Sequence, residues 1–175
     1  LVLPPVVIGY VLLVVLGKKG LVGEWLYDVL GVTFAFKWEG AAIASAVMGF
    51  PLMVRAIRLS LEMVDQGLEQ AALTLRAGPI RVFSTITLPL ISPGILSGLI
   101  LGFARSLGEF GATITFVSNI PGETRTLPLA LYTYTQVPGG DVMAMRLTII
   151  AIVLALLSLF ISEFLARGIR EKLQA

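Results

Sequence analysis

From Leu147 to Leu165 the chain reads LTIIAIVLALLSLFISEFL, with Glu163 as its one charge. A run of this kind is close to the ~20 residues that an α-helix needs to cross a ~30 Å hydrocarbon core. Three further runs follow the same pattern, at about 1–16, 41–57 and 90–111. Inside a bilayer there is no water to satisfy the backbone, so each run must close its own hydrogen bonds as a helix. The composition agrees. The chain is 57% hydrophobic and 14% charged, with a mean hydropathy of +0.93, whereas a soluble domain is nearer half apolar and a quarter charged. The expectation is an all-α polytopic membrane protein, one domain over residues 1–175, with four spans at about 1–16, 41–57, 90–111 and 147–165. The sequence opens inside an apolar run, LVLPPVVIGY, without methionine or a basic lead. It therefore reads as N-terminally truncated, with room for at least one earlier span, and two readings stand for the short first span: its true start lies upstream, or Pro4 and Pro5 open the helix.

Several function classes drop out. The net charge of +2 is too small to argue for nucleic acid. With no histidine and no cysteine, imidazole acid–base chemistry, thiolate nucleophiles and the commonest zinc ligands are absent. No paired intramembrane aspartates stand in for them. No catalytic residue, metal site or cofactor is expected.

Between the spans lie three polar segments. Gly17 to Gly40 carries Trp25, Tyr27 and Trp38 among charges, which suits an interfacial loop with a short helix from Val22 to Leu30. Ala112 to Arg146 is too long to be structureless, and Leu127 to Val137 reads as a short helix along the membrane surface. Arg55, Arg58, Arg76 and Arg81 flank the middle loop, and Arg167, Arg170 and Lys172 fall in the tail. With four spans these regions share one side, which the positive-inside rule makes cytoplasmic. Lys18, Lys19 and Lys37 favour the opposite arrangement.

The middle loop is a hairpin over 61–89. Asp65 can cap its first helix. Leu61, Val64, Leu68, Ala72 and Leu75 fall on one apolar face. Ala71 and Ala72 are small enough for another backbone to approach. Ala77-Gly78-Pro79 stops the helix, with glycine for the left-handed residue and proline for the next helical start. Leu88-Pro89 then opens the third span. The segment EQAALTLRAGPIRVFSTITLP, Glu69 to Pro89, resembles the cytoplasmic docking loop of ATP-driven (ABC) importer permeases, whose pattern is E-A-A, three residues, G, nine residues, I, one residue, L-P. On that resemblance Glu69, Gln70, Ala71, Ala72, Gly78, Leu88 and Pro89 form the coupling surface. The pattern's glutamate falls on Gln70 and its glycine on Arg76. Glu69 and Gly78 are the expected substitutes, although Glu69 points about 100° away from position 70.

The third span holds a row of small residues, Gly94, Gly98 and Gly102, continued by Ser106. Such a row suits close helix packing in lipid, within one chain or across a dimer. Arg105 and Glu109 follow at i and i+4. Two readings stand: a structural ion pair, or residues lining a translocation path in which Arg105 meets the anion. Phe110 beside Gly111 offers a ring and a hinge for a gate. Thr113, Thr115 and Ser118 offer hydroxyls to an oxyanion.

The run ARSLGEFGATITFVSNIPGETRTLPLALY, Ala104 to Tyr132, is similar to the corresponding region of molybdate ABC transporter permeases and, more distantly, of sulfate permeases. With the docking hairpin and the tail ISEFLAR, the likeness covers nearly the whole chain. It implies the helix bundle of type I importer permeases (the MetI-like fold) with cytoplasmic coupling helices, in a bacterial inner membrane. It also implies a periplasmic oxyanion-binding protein, cytoplasmic ABC ATPase subunits, a permease homodimer and surrounding lipid as partners. The chain has no G-x-x-x-x-G-K-[ST] phosphate loop, so ATP would be hydrolysed on another chain. The rival readings are a sulfate or tungstate permease, and an ion-gradient-driven secondary transporter.

Overall fold

The computed structural model describes residues 3–174, with side chains described as far as Ile161 and at Phe164. Every element among them is helical: α1 (Pro5–Leu16), α2 (Gly23–Leu30), α3 (Trp38–Glu62), α4 (Gln66–Thr74), α5 (Pro79–Val82), α6 (Leu88–Leu107), α7 (Gly111–Val117), α8 (Leu127–Gln136) and α9 (Asp141–Gln174). A π-helical turn, Phe83–Thr87, joins α5 to α6. The expected span start at Leu1 and the side chains of Arg167, Arg170 and Lys172 lie outside the described residues.

Three helical stretches are long and apolar enough to cross a membrane: Trp38–Glu62, Pro79–Leu107 and Asp141–Ile161. The apolar α1 is shorter, at 12 residues, and opens with proline in its first turn. The two short helices expected in the polar segments are present as α2 and α8. The third span differs from its sequence reading. Helix α6 ends at Leu107, and residues 108–110 break the chain before α7 begins at Gly111. Glycine alone is not the reason, since α6 carries Gly94, Gly98 and Gly102 unbroken; a new helix start is stabilised here by the carboxylate of Glu109, which accepts from the N–H of Ala112.

The described residues fall into two compact units. The first comprises 3–50 and 103–156. Its core joins Ala41 and Ala44 of α3 to Ala112, Phe116 and Val117 of α7, with Leu13 and Leu16 of α1 packed alongside. Helices α1 and α7 meet almost backbone to backbone. A Cβ on Gly9 would stand 2.5 Å from the carbonyl oxygen of Ala112, and one on Gly111 would stand 2.9 Å from Cβ of Pro5. Lipid gives helices no hydrophobic reason to associate, so close van der Waals contact through small residues must hold them.

The second unit comprises 51–102 and 157–174. Here α6 lies against α3 through the expected small residues. A Cβ on Gly94 would fall 2.1 Å from Cβ of Ser60, and one on Gly98 would fall 2.9 Å from the carbonyl oxygen of Met53. This contact is within the chain. The second arm of the hairpin is not a separate helix, because Pro79–Leu107 is one helical stretch of 29 residues. Pro89 accounts for its π turn. Proline has no N–H to donate, and its ring would strike the carbonyl four residues back. The helix widens there, and the N–H of Leu88 donates to the carbonyl of Phe83.

Candidate functional site

The hairpin is closed from both ends by its own polar groups. Asp65 caps α4, its Oδ1 accepting from the N–H of Gly67 at 2.8 Å. At the far end, the N–H of Arg76 donates to the carbonyl of Leu73 (3.0 Å) and that of Ala77 to Ala72 (3.1 Å). These paired reverse bonds terminate a helix whose next residue is left-handed. That residue is Arg76, with φ 62°, so the turn is made at the position where the docking-loop pattern has glycine. Gly78 does not substitute for it. Its φ is −67°, extended, and a Cβ there would meet nothing. The expectation that Gly78 supplies the turn is therefore corrected. The hydrogen-bond register of the helix end selects the left-handed residue, and the nearest glycine does not. For a residue with a Cβ, that conformation costs about 1–2 kcal/mol.

Glu69 fastens the two arms together. Its Oε1 accepts from Oγ1 of buried Thr87 at 2.5 Å, which links α4 to the π turn. Gln70 and Ala71 are exposed, Ala72 is half-buried, and Leu88 and Pro89 are exposed. Much of the hairpin's apolar surface is uncovered: Leu61, Leu68, Leu73 and Phe83 are about half exposed and Leu75 and Ile80 at the turn are 84% exposed, while Val64 and Ala72 are partly buried. The carboxylates of the segment are all engaged inside the chain. Glu62 pairs with Arg58 at 2.8 Å, Asp65 caps α4 and Glu69 holds Thr87. Arg55, Arg76 and Arg81 meet no carboxylate among the described residues.

The second constellation surrounds the break at 108–110. Nη1 of Arg105 stands 2.7 Å from Oε2 of Glu109, whose side chain is 1% exposed against 31% for Arg105. The other carboxylate oxygen accepts from the N–H of Ala112 at 2.8 Å. Arg105 thus sits in the last turn of α6 and Glu109 at the head of α7, each matching the sign that its helix end prefers. Glu109 lies in the break and not on the same helix as Arg105. Thr113 is fully buried and donates to the carbonyl of Phe110 (2.9 Å), and Thr115 donates to that of Gly111 (2.8 Å). Both hydroxyl hydrogens are engaged by the backbone of their own helix. The Phe110 ring packs against Tyr132, centroids 5.2 Å apart. Gly111 starts α7 with α1 directly over it, which makes it a packing residue. Gly102 lies in α6 one turn before Ser106, whose hydroxyl also donates to the carbonyl of Ser45.

A further polar network, which the sequence pattern did not point to, orders the loop before α8. Arg125 Nε donates to Oδ1 of Asn119 (2.9 Å), and Nδ2 of Asn119 donates to Oγ1 of Thr133 (2.8 Å). Buried Thr124 accepts from the N–H of Ile120 at 2.9 Å and closes the loop before α8. The Pro121-Gly122 turn, with Gly122 at φ 79°, was the sequence signal for this ordered loop.

Comparison with known proteins places these features in context. The profile of the family described as the binding-protein-dependent transport system inner membrane component matches residues 1–171. The molybdenum transport system permease protein ModB of Escherichia coli (strain K12) is 69% identical over 172 residues, which covers 98% of this chain and 75% of that protein. ModB of Haemophilus influenzae is 61% identical over 173 residues, 99% of this chain and 76% of the relative. ModB of Mycobacterium tuberculosis is 41% identical over 152 residues, 87% and 57% respectively.

Proposed function

The chain belongs to the family of inner membrane components of binding-protein-dependent transport systems, and from that premise we propose that it is the permease subunit of an ATP-driven molybdate importer. It works in the bacterial inner membrane as a multi-pass subunit and forms the oxyanion path. A periplasmic binding protein delivers the anion. Two cytoplasmic ATPase subunits drive two copies of this chain, related by the two-fold axis that is the commonest closed symmetry. The permease itself holds the anion weakly, since a tight site would stall transport.

The observation that carries the coupling mechanism is the construction of the hairpin. Its apolar turn is uncovered, its two arms are fastened by Glu69 and Thr87, and its second arm runs without interruption into the span that begins at Leu88. A partner that grips α4 therefore moves the helix itself and not a slack connector. Glu69, Gln70, Ala71, Ala72, Leu88 and Pro89 are the proposed coupling surface. Arg105, a third exposed while one of its nitrogens is held by Glu109, is the proposed anion contact on the path. Phe110, Gly111, Thr113 and Thr115 shape the wall behind it.

Uptake of labelled molybdate, tungstate and sulfate into vesicles holding permease, ATPase and binding protein tests the proposal. ATP-dependent molybdate uptake, with the other anions competing, is the expected result. Uptake that follows an ion gradient without ATP would overturn it, and preference for sulfate or tungstate would reassign the cargo. Arg105→Gln is expected to slow uptake more than it reduces assembly; equal losses would leave Arg105 purely structural.

A further inference from the structure

Arg76 occupies the left-handed position that closes α4 (φ 62°), where glycine carries no steric penalty. The side chain is exposed and sits in the turn between Leu75 and Ile80, the two most exposed apolar residues of the hairpin. It has no carboxylate to meet among the described residues, because Glu62, Asp65 and Glu69 are already held within the chain. The turn thus presents a cation beside bare apolar groups, an arrangement in which hydrophobes can fill a partner's recess while the charge lies at its rim.

Building on the docking role proposed above, we infer that Arg76 is the charged specificity contact of the hairpin: it pairs with a carboxylate of the ATPase subunit, at the rim of the recess that receives Leu75 and Ile80. An anionic lipid surface is the less suitable partner. Membrane-binding segments gather four to eight cations, whereas the four arginines between 55 and 89 are interleaved with three acids that a negative surface would repel. Charge at such a rim steers encounter and selects among partners, so this chain discriminates against ATPase subunits that lack the acid.

The experiment uses the full chain in nanodiscs of zwitterionic lipid, titrated with the transporter's own ATPase subunit at low and high salt. Arg76→Gln is expected to weaken association about fivefold at low salt, with the difference vanishing near 0.5 M salt, at roughly the screening limit of exposed charges. Arg76→Gly is expected to weaken association equally while raising the melting temperature by about 2–4 °C as the backbone relaxes. Affinity of Arg76→Gln within twofold of the wild type, or tighter binding by Arg76→Gly, would overturn the inference. So would a loss that appears only when anionic lipid is added. Ala72→Trp in the same titration separates the two levels. If it abolishes binding while Arg76→Gln stays within twofold of the wild type, only the arginine contact fails; if it too leaves binding unchanged, the docking role fails with it.

Discussion

Two of the helix–turn–helix junctions among the described residues, at 75–78 and at 108–110, are built on opposite plans. At 75–78 the turn is open: the backbone closes its own hydrogen bonds, while an arginine and two bare hydrophobes face outward. At 108–110 the turn is sealed. A buried carboxylate accepts from the next helix and pairs with the cation of the previous one, which is itself about a third exposed. At the first junction the turn is closed by backbone bonds, which frees the side chains of Leu75, Arg76 and Ile80 for a partner. The second depends on its side chains: Glu109 is committed to the fold, and only the exposed part of Arg105 is left for a ligand. A polar cluster between helices is therefore a poor guide to binding until its internal partners have been identified.

Breaking the sealed junction should have the largest effect. Glu109→Ala leaves Arg105 without its partner and α7 without its cap, and should destabilise the fold by about 3–5 kcal/mol. Thermal unfolding in detergent reads this, and a loss under about 1 kcal/mol would show that solvent already shares the charge. Gly9→Val comes next. Its side chain would enter the carbonyl of Ala112, and overpacking of that kind costs about 1–3 kcal/mol; α1 should be released to protease if the contact matters. Thr87→Val keeps the shape of the π turn but removes the donor to Glu69. It should cost about 1–3 kcal/mol by leaving that carboxylate unmatched, and it should reduce molybdate transported per ATP more than it reduces ATPase binding. The smallest effect belongs to Gly78→Ala. With φ at −67° and open space for a Cβ, it should leave stability and docking within about 0.5 kcal/mol of the wild type, or slightly improve stability. A severe defect there would restore Gly78 as the turn residue and blur the contrast between the junctions.

The elements set by local chemistry were legible in the sequence. Asp65 as a cap, the short helices α2 and α8, and the small-residue contacts of Gly94 and Gly98 followed from residue type and spacing. Two readings failed for identifiable reasons. Glycine propensity pointed to Gly78, but the left-handed residue is chosen by where α4 runs out of hydrogen bonds, and that count ends at Arg76. The run from Leu90 to Gly111 looked continuous because it is mostly apolar and its two charges, Arg105 and Glu109, stand one helical turn apart. The break at Gly108 becomes visible only with the carboxylate of Glu109 turned toward the next helix. The crossing of α1 over α7 through Gly9 and Gly111 joins segments about a hundred residues apart, and nothing in their local composition pairs them.

The π turn before Pro89 has a geometric consequence of its own. It holds one more residue than an α-helical turn over the same rise, and every side chain on one side of it is rotated by roughly 100° with respect to the other. The angular setting of the docking knob about the axis of the lever is therefore fixed by a single inserted residue. Deleting one residue between Phe83 and Thr87 would barely shorten that lever, yet it would swing its handle about a quarter turn away from the hand that grips it.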